Sequence, residues 1–279
     1  MKYADLHIHS TYSDGKLTPE EIVELAMRRK INYISITDHD TLESQYITEN
    51  MYDNLSIIPG IELSTEFNDI EIHILGYFID IKNSHLLGLM DDLKVSRSKR
   101  VEVILDKLNK IDIKIDFSDL NANKLCSLGR AHIASALVKK GYADTFKSAF
   151  VNYLIEGKPA YVKREKLPYK EILDIIEYSG GISVLAHPGE MNRPMELENT
   201  IKRLKCHGLK GIEVFHPSHN CEKINCIYNF ASKYKLLVTG GSDCHTIVSK
   251  EESIIGEYGI NECQLNKLLI SKSKNGGTL

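Results

Sequence analysis

Apolar residues along the chain gather in short runs that each stop on an imidazole or a carboxylate. Seven such runs stand out: Tyr3–His9, Ile34–His39, Ile57–Glu62, Glu71–His73, Ile182–His187, Ile212–His216 and Leu236–His245. Their shortness and β-branched content predict strands. Their shared ending predicts that the strands aim His, Glu or Asp at one polynuclear metal centre from their C-terminal ends. Between the first runs the period changes to that of a helix, as in Thr18–Met27, where Thr18 caps, Pro19 takes the first helical position, Glu21 completes a capping box, and Ile22, Leu25 and Ala26 form the buried stripe. Strand, helix, strand in this order predicts an α/β fold of parallel β/α units.

After Phe78 the rhythm breaks. From Leu86 to Val162 no strand pattern recurs, whereas helical periods cover Leu89–Lys110, Arg130–Lys140 and Lys147–Leu154; a helix over Pro168–Tyr178 then leads back to strands at Ile182. The expected organisation is therefore a metal-binding barrel from residues 1–85 and 165–279, with a mostly helical insertion over 86–164 placed above the barrel mouth, where connecting loops emerge. The polar, Gly-ended tail 271–279 is expected to fray.

Composition narrows the function classes. At 279 residues and 42% hydrophobic the chain can bury one large core without needing two domains. A formal charge of −3 lacks the basic footprint of a duplex-DNA binder, while a small anionic substrate held by metals needs none. The six cysteines form no CxxC pair, which argues against a zinc ribbon or disulfide framework and for a reduced, cytoplasmic setting. The N-terminus enters a strand without a basic-plus-apolar leader, and no apolar stretch approaches the ~18 residues of a membrane span, so no membrane partner is expected.

His7 and His9 are two apart, so on a strand both imidazoles face one side. With His39, Glu62, His73, His187, Asp243 and His245 at the same level of their runs, the set is a metal site rather than a scatter of structural histidines. Imidazole and carboxylate without thiolate suit zinc, manganese or iron. Glu62, after the Pro59-Gly60 turn, is the candidate bridge between ions. Asp5 and Asp38 either accept from ligand imidazoles, fixing their tautomers, or are plain strand-end and turn carboxylates. Cys244 alternates away from Asp243 and His245 and is expected to pack. There is no GxSxG elbow and no P-loop; Gly180-Gly181 and Gly240-Gly241 are turns.

The segments DLHIHSTYSDG at 5–15, ITDHD at 36–40, GIELS at 60–64, HILGY at 73–77, LAHPG at 185–189 and GSDCH at 241–245 resemble the ordered motifs of the PHP (polymerase and histidinol phosphatase) family. The resemblance implies a distorted (β/α)7 barrel carrying three divalent ions. It assigns one ion to His7, His9, Glu62 and Asp243, a second to Glu62, His73 and His187, and a third to Asp14, His39 and His245. Asp14 departs from histidinol phosphate phosphatases, which commonly carry His near that position.

Ser127–Gly141, Ala149-Phe150 and Gly157–Val162 are similar to a PHP subgroup acting on nucleotides, which includes 3′,5′-bisphosphonucleotide and AMP-type phosphatases and the 5′-to-3′ exoribonuclease RNase AM. That likeness implies Arg130 and His216 as phosphate-binding and catalytic residues beside Asp243, and metal-assisted hydrolysis of a phosphomonoester, with His216 as a candidate acid. By its residue type, Arg130 at a helix start suits a phosphate or a surface salt bridge. His132 contacts substrate or caps the same helix. His85, His207 and His219 fall in loops or helices, and Arg97, Lys99 and Arg100 line a nucleic-acid path or form a solvated face. The alternatives are exoribonuclease action on short 5′-phosphorylated RNA, histidinol phosphate hydrolysis, and a non-catalytic metal-stabilised module.

Overall fold

The computed structural model describes residues 3–47, 54–120, 127–163, 167–191, 194–245 and 253–275. Its strands are β1 (Ala4–Ile8), β2 (Tyr33–Ile36), β3 (Ser56–Ile57), β4 (Gly60–Phe67), β5 (Ile70–Tyr77), β6 (Leu167–Pro168), β7 (Ile182–Leu185), β8 (Gly211–Phe215) and β9 (Leu237–Gly240). Its helices are α1 (Pro19–Arg28), α2 (Glu43–Ile47), α3 (Ser84–Asn109), α4 (Arg130–Lys139), α5 (Phe146–Ala149), α6 (Tyr169–Tyr178), α7 (Leu197–Cys206), α8 (Cys221–Lys233) and α9 (Glu262–Asn275).

The strands form two sheets, β1-β2-β3 and β6-β4-β5-β7-β8-β9. Two seams join them. On one side the Asp243 amide donates to the His7 carbonyl at 2.7 Å and His9 to Cys244 at 3.3 Å; on the other, Asp40 donates to Glu62 at 3.0 Å. The result is a distorted α/β barrel.

Two features differ from the expectation of strands all pointing one way. The run Ile57–Glu62 breaks at Pro59, so that β3 completes the first sheet and β4 starts anew at Gly60 in the second. β4 and β5 then form an antiparallel hairpin with Ser64 opposite His73, and β5 is antiparallel to β7 as well. Glu62 and His73 therefore sit within strands rather than at C-terminal ends. A hairpin needs only a short turn, here at Asn68 and Asp69, both with positive φ. The tail also differs in part: α9 continues through Asn275, while 276–279 lie outside the described residues.

Local signals work as expected in the helices. The Thr18 hydroxyl accepts from the Glu21 amide and the Glu21 carboxylate accepts from the Thr18 amide, closing the capping box of α1. α3 starts before Leu89 because the Asn83 side chain accepts from the amides of His85 and Leu86, both at 3.1 Å. The period over Lys147–Leu154 resolves into α5 followed by a π-helical turn, Phe150–Leu154. Gly180, at φ +72°, ends α6: its amide reaches the Glu177 carbonyl and that of Gly181 reaches Ile176, a double closure that needs a left-handed residue.

The first half of α3 (Leu86, Leu89, Met90, Leu93) packs in the barrel core with Ile172 and Ile176 of α6. Its second half (Val101, Ile104, Leu105, Leu108) belongs to a separate core with Ile133 and Leu137 of α4 and Leu154. One helix thus serves both cores, carrying the 101–162 cluster beside the barrel. Among the described residues no helix is long and apolar enough to cross a membrane.

Candidate metal centre

The Glu62 carboxylate, fully buried, is the hub of the barrel's polar centre. Its Oε2 lies 3.4 Å from His7 Nε2, 3.2 Å from His9 Nε2 and 3.0 Å from His39 Nδ1; its Oε1 lies 3.0 Å from His73 Nδ1 and 2.9 Å from His187 Nε2. Asp243 Oδ1 stands 3.2 Å from His7 Nε2 and 3.0 Å from His9 Nε2, and Asp14 Oδ1 stands 3.2 Å from His245 Nε2. All nine sequence-predicted ligands meet in one centre.

Three groups of ligand atoms converge closely enough to hold an ion: His7, His9, Glu62 and Asp243; His39, Glu62 and His73; and His9, Asp14, His39 and His245. The first coincides with a set implied by the resemblance. In the others His39 stands between two groups, His9 joins the third, and His187 reaches the hub through Glu62 alone.

The donor atoms fit cations. Two ligands each about 2.1 Å from a tetrahedral ion stand roughly 3.4 Å apart, close to the separations seen here. Despite these short contacts, four buried ligand atoms, Asp14 Oδ1, His39 Nδ1, Glu62 Oε2 and Asp243 Oδ1, make no well-directed hydrogen bond. Leaving such atoms unpaired is costly unless an ion takes them.

Carboxylates and imidazoles here favour one another's charged forms. Burial alone drives the Glu62 pKa up, but His39, His7 and His73 outweigh it and hold the group well below the usual carboxylate range. Burial drives the His245 pKa down, yet Asp14 and Asp243 push it up to about 10; His73, against burial, is pushed up to about 9 by Glu62. Divalent ions held by these rings would compete with protons for the same nitrogens.

Local backbone geometry delivers these groups. Gly241 lies so close to β1 that a Cβ would stand 2.4 Å from the His7 amide nitrogen, and this approach seats Asp243 opposite His7. Asp243 (φ +47°), His187 (φ +24°) and Asp40 (φ +51°) all hold left-handed backbone, the kind of strain that gathers at functional sites.

Glu213 was not singled out in the sequence. Its carboxylate lies 3.1 and 3.2 Å from His7 Nδ1 and accepts the His187 amide at 2.7 Å, orienting two candidate ligands at once. A buried acid inside the apolar run Ile212–His216 was the available signal. Asp5 and Asp38 do not touch ligand rings: Asp5 accepts from the amides of Ser242 (2.9 Å) and Gly256 (2.8 Å), and Asp38 from Ser10 and Ser13. They tie the ligand-bearing loops in place. Cys244 packs in the apolar cluster around Ile8 and Ile34.

His216 Nδ1 accepts the Ser218 amide, which leaves the ring proton on Nε2, 3.1 Å from Asp243 Oδ2. His219 is structural, with Nδ1 on the Val214 carbonyl and Nε2 accepting the Gly189 amide. His132 caps α4 by accepting the Gly129 amide at 3.2 Å.

Arg130 is the first residue of α4 and lines a cleft of about 130 Å³ together with Asp14, His39, His73, Arg97 and Arg100. Neither Arg97 nor Arg100 belongs to a solvated face. Arg97 pairs with buried Asp40, next to His39, and donates to the Leu128 carbonyl at 3.2 Å; Arg100 donates twice to the Val162 carbonyl.

A family profile, the PHP domain, matches residues 5–207. The chain belongs to the PHP family. It is 32% identical over 249 residues to the 5′-3′ exoribonuclease Rnm of Escherichia coli, covering 86% of this chain and 84% of that protein. It is 29% identical over 253 residues to a 3′,5′-nucleoside bisphosphate phosphatase of Chromobacterium violaceum, with 88% of each chain covered. Among solved structures, a Bifidobacterium adolescentis protein designated a metal-dependent phosphoesterase superposes with a TM-score of 0.86 at 27% identity, covering 99% of this chain and 97% of that one. The protein is a PHP metal-dependent phosphoesterase with His, Glu and Asp clusters able to bind metals.

Proposed function

We propose that this PHP protein hydrolyses phosphomonoesters of nucleotides, 3′,5′-bisphosphonucleotides or AMP-like compounds, at a centre of three divalent ions (Mn, Zn or Fe). The observation that carries this reading is the shared cleft, where Arg130 faces the His39, His73 and Asp14 cluster. The ions fall to the three ligand sets implied by the family resemblance, with Glu62 shared between two of them. Bound divalent ions polarise phosphoryl oxygens and lower the pKa of coordinated water from 15.7 toward ~7.

The chain's own residues supply the rest. Arg130 offers a fixed fork of donors to the phosphoryl oxygens at the start of a ten-residue helix, where backbone amides add to the positive field. His216 holds its proton on Nε2 against Asp243, which orients that carboxylate and makes His216 the candidate acid. Glu213 fixes His7 through Nδ1, so that Nε2 faces Glu62 and Asp243. The 86–164 segment acts as the substrate-facing domain, because it contributes Arg130.

Exoribonuclease action is the second reading, favoured by the likeness to Rnm over most of both chains. Phosphate release from adenosine 3′,5′-bisphosphate, AMP, histidinol phosphate and 5′-phosphorylated RNA, with added manganese and with chelator, tests both. Metal-dependent release from the nucleotides is expected. Stepwise liberation of mononucleotides from RNA alone would favour the second reading, and no cleavage with any metal would overturn both.

A further inference from the structure

Beyond the phosphate cleft lies a second cavity of about 670 Å³ that the phosphoester chemistry leaves unexplained. Ser13, Asp14, Ala131, His132 and Phe150 line both, so the two adjoin along a common wall. Asp14 and His245 form the end nearest the metal cluster; Leu120, Ala136, Phe146 and Phe150 give the rest an apolar wall. The rings of Phe146 and Phe150 pack with centroids 5.2 Å apart, and the Arg130 guanidinium sits 5.8 Å from the Phe150 centroid. Phe146 nonetheless remains 49% exposed, an aromatic surface left facing the cavity.

We infer that this cavity is a nucleobase subsite, with Phe146 and Phe150 stacking an aromatic base whose phosphate lies in the cleft at Arg130; this rests on the phosphoester reading above. The volume falls in the ~300–1,000 Å³ range of sites for nucleoside-sized ligands. Phenylalanine stacking tolerates any base, since every base has a π-face. Arg130 couples the two halves: it lines the phosphate cleft and rests over the ring that closes the base pocket. The π-helical turn beginning at Phe150 is a local irregularity of the type often found at binding sites.

Binding to chelator-treated protein, followed by saturation-transfer NMR, tests the subsite without depending on turnover. The probes are AMP, ribose 5-phosphate and a 5′-phosphorylated RNA trinucleotide. AMP, which carries the same single phosphate, should bind more tightly than ribose 5-phosphate, and Phe146→Leu should shrink that preference on the order of tenfold, whereas Phe146→Tyr should retain it. A loss confined to the trinucleotide supports the subsite and assigns it to an RNA base. Equal binding of nucleotide and ribose 5-phosphate by the wild type, or an equal loss for both in Phe146→Leu, overturns it. With manganese added, hydrolysis of none of the three probes alongside intact base preference would overturn the phosphoester reading and leave the subsite standing.

Discussion

The barrel centre and the 101–162 core solve opposite problems. The second core is built from Ile104, Leu108, Ile133, Leu137 and Leu154, all apolar and buried. Its stability follows from area removed from water, about 25 cal/mol per Å². The barrel centre instead buries Glu62 and Glu213 and half-buries Asp14 and Asp243 among imidazoles, with several lone pairs lacking a well-directed hydrogen bond. Burying such groups costs stability unless ions offset it. One region is held by apolar packing; the other gathers imidazoles and carboxylates between strands of the barrel. Arg97 sits at the seam, tying Asp40 of the barrel to the Leu128 carbonyl just before α4.

Variants on each side should separate these roles. The largest effect is expected for Asp243→Ala or His9→Ala, which should abolish phosphate release while the far-UV circular dichroism spectrum stays wild-type-like; retained turnover would break the assignment of the centre. At the seam, Arg97→Ala removes the cation paired with the buried Asp40 carboxylate, which keeps the Ser64 amide as a donor. Denaturant unfolding should show a loss of about 3–5 kcal/mol, with Arg97→Lys recovering part of it, and an unchanged midpoint would remove Arg97 from the frame.

Inside the second core, Leu137→Ala should cost about 2–5 kcal/mol yet leave metal affinity unaltered by calorimetry, because Leu137 packs in that core and not, among the described residues, in the barrel clusters. A matching fall in metal affinity would mean that the two regions are one energetic unit. The smallest effect belongs to Glu213→Gln, which keeps the shape but removes the charge facing His7. Metal affinity or kcat should fall about 10- to 100-fold, and an unaltered value would make Glu213 merely structural.

Much of the site was readable along the chain. Strand-end motifs such as His7-Ile-His9 and Ser242-Asp-Cys-His245 declare their ligands because alternation sets which residues share a face. Glu213 escaped for the same reason. Three residues from His216, it would point to the opposite face of a regular strand, but the β8–β9 pairing shifts register between Glu213 and Phe215, and a bulge re-aims side chains. The roles of Asp5 and Asp38 were open in sequence, since a carboxylate beside a ligand reaches a ring or an amide with equal ease. Only the fold brings the amides of Ser242 and Gly256 to Asp5.

By itself the sequence determined the α/β rhythm, the capped α1, eight strand-borne ligand candidates and Arg130 at a helix start, because periodicity, caps and strand alternation act over a few residues; Asp14 came from the resemblance to the PHP family. Tertiary structure alone decided that β5 runs antiparallel, that five imidazoles crowd Glu62, that Arg97 clamps Asp40, and that Phe146 and Phe150 wall a cavity adjoining the phosphate cleft. Those outcomes depend on how the barrel closes and where α3 carries the second core, and closure is a property of contacts between segments far apart in the chain.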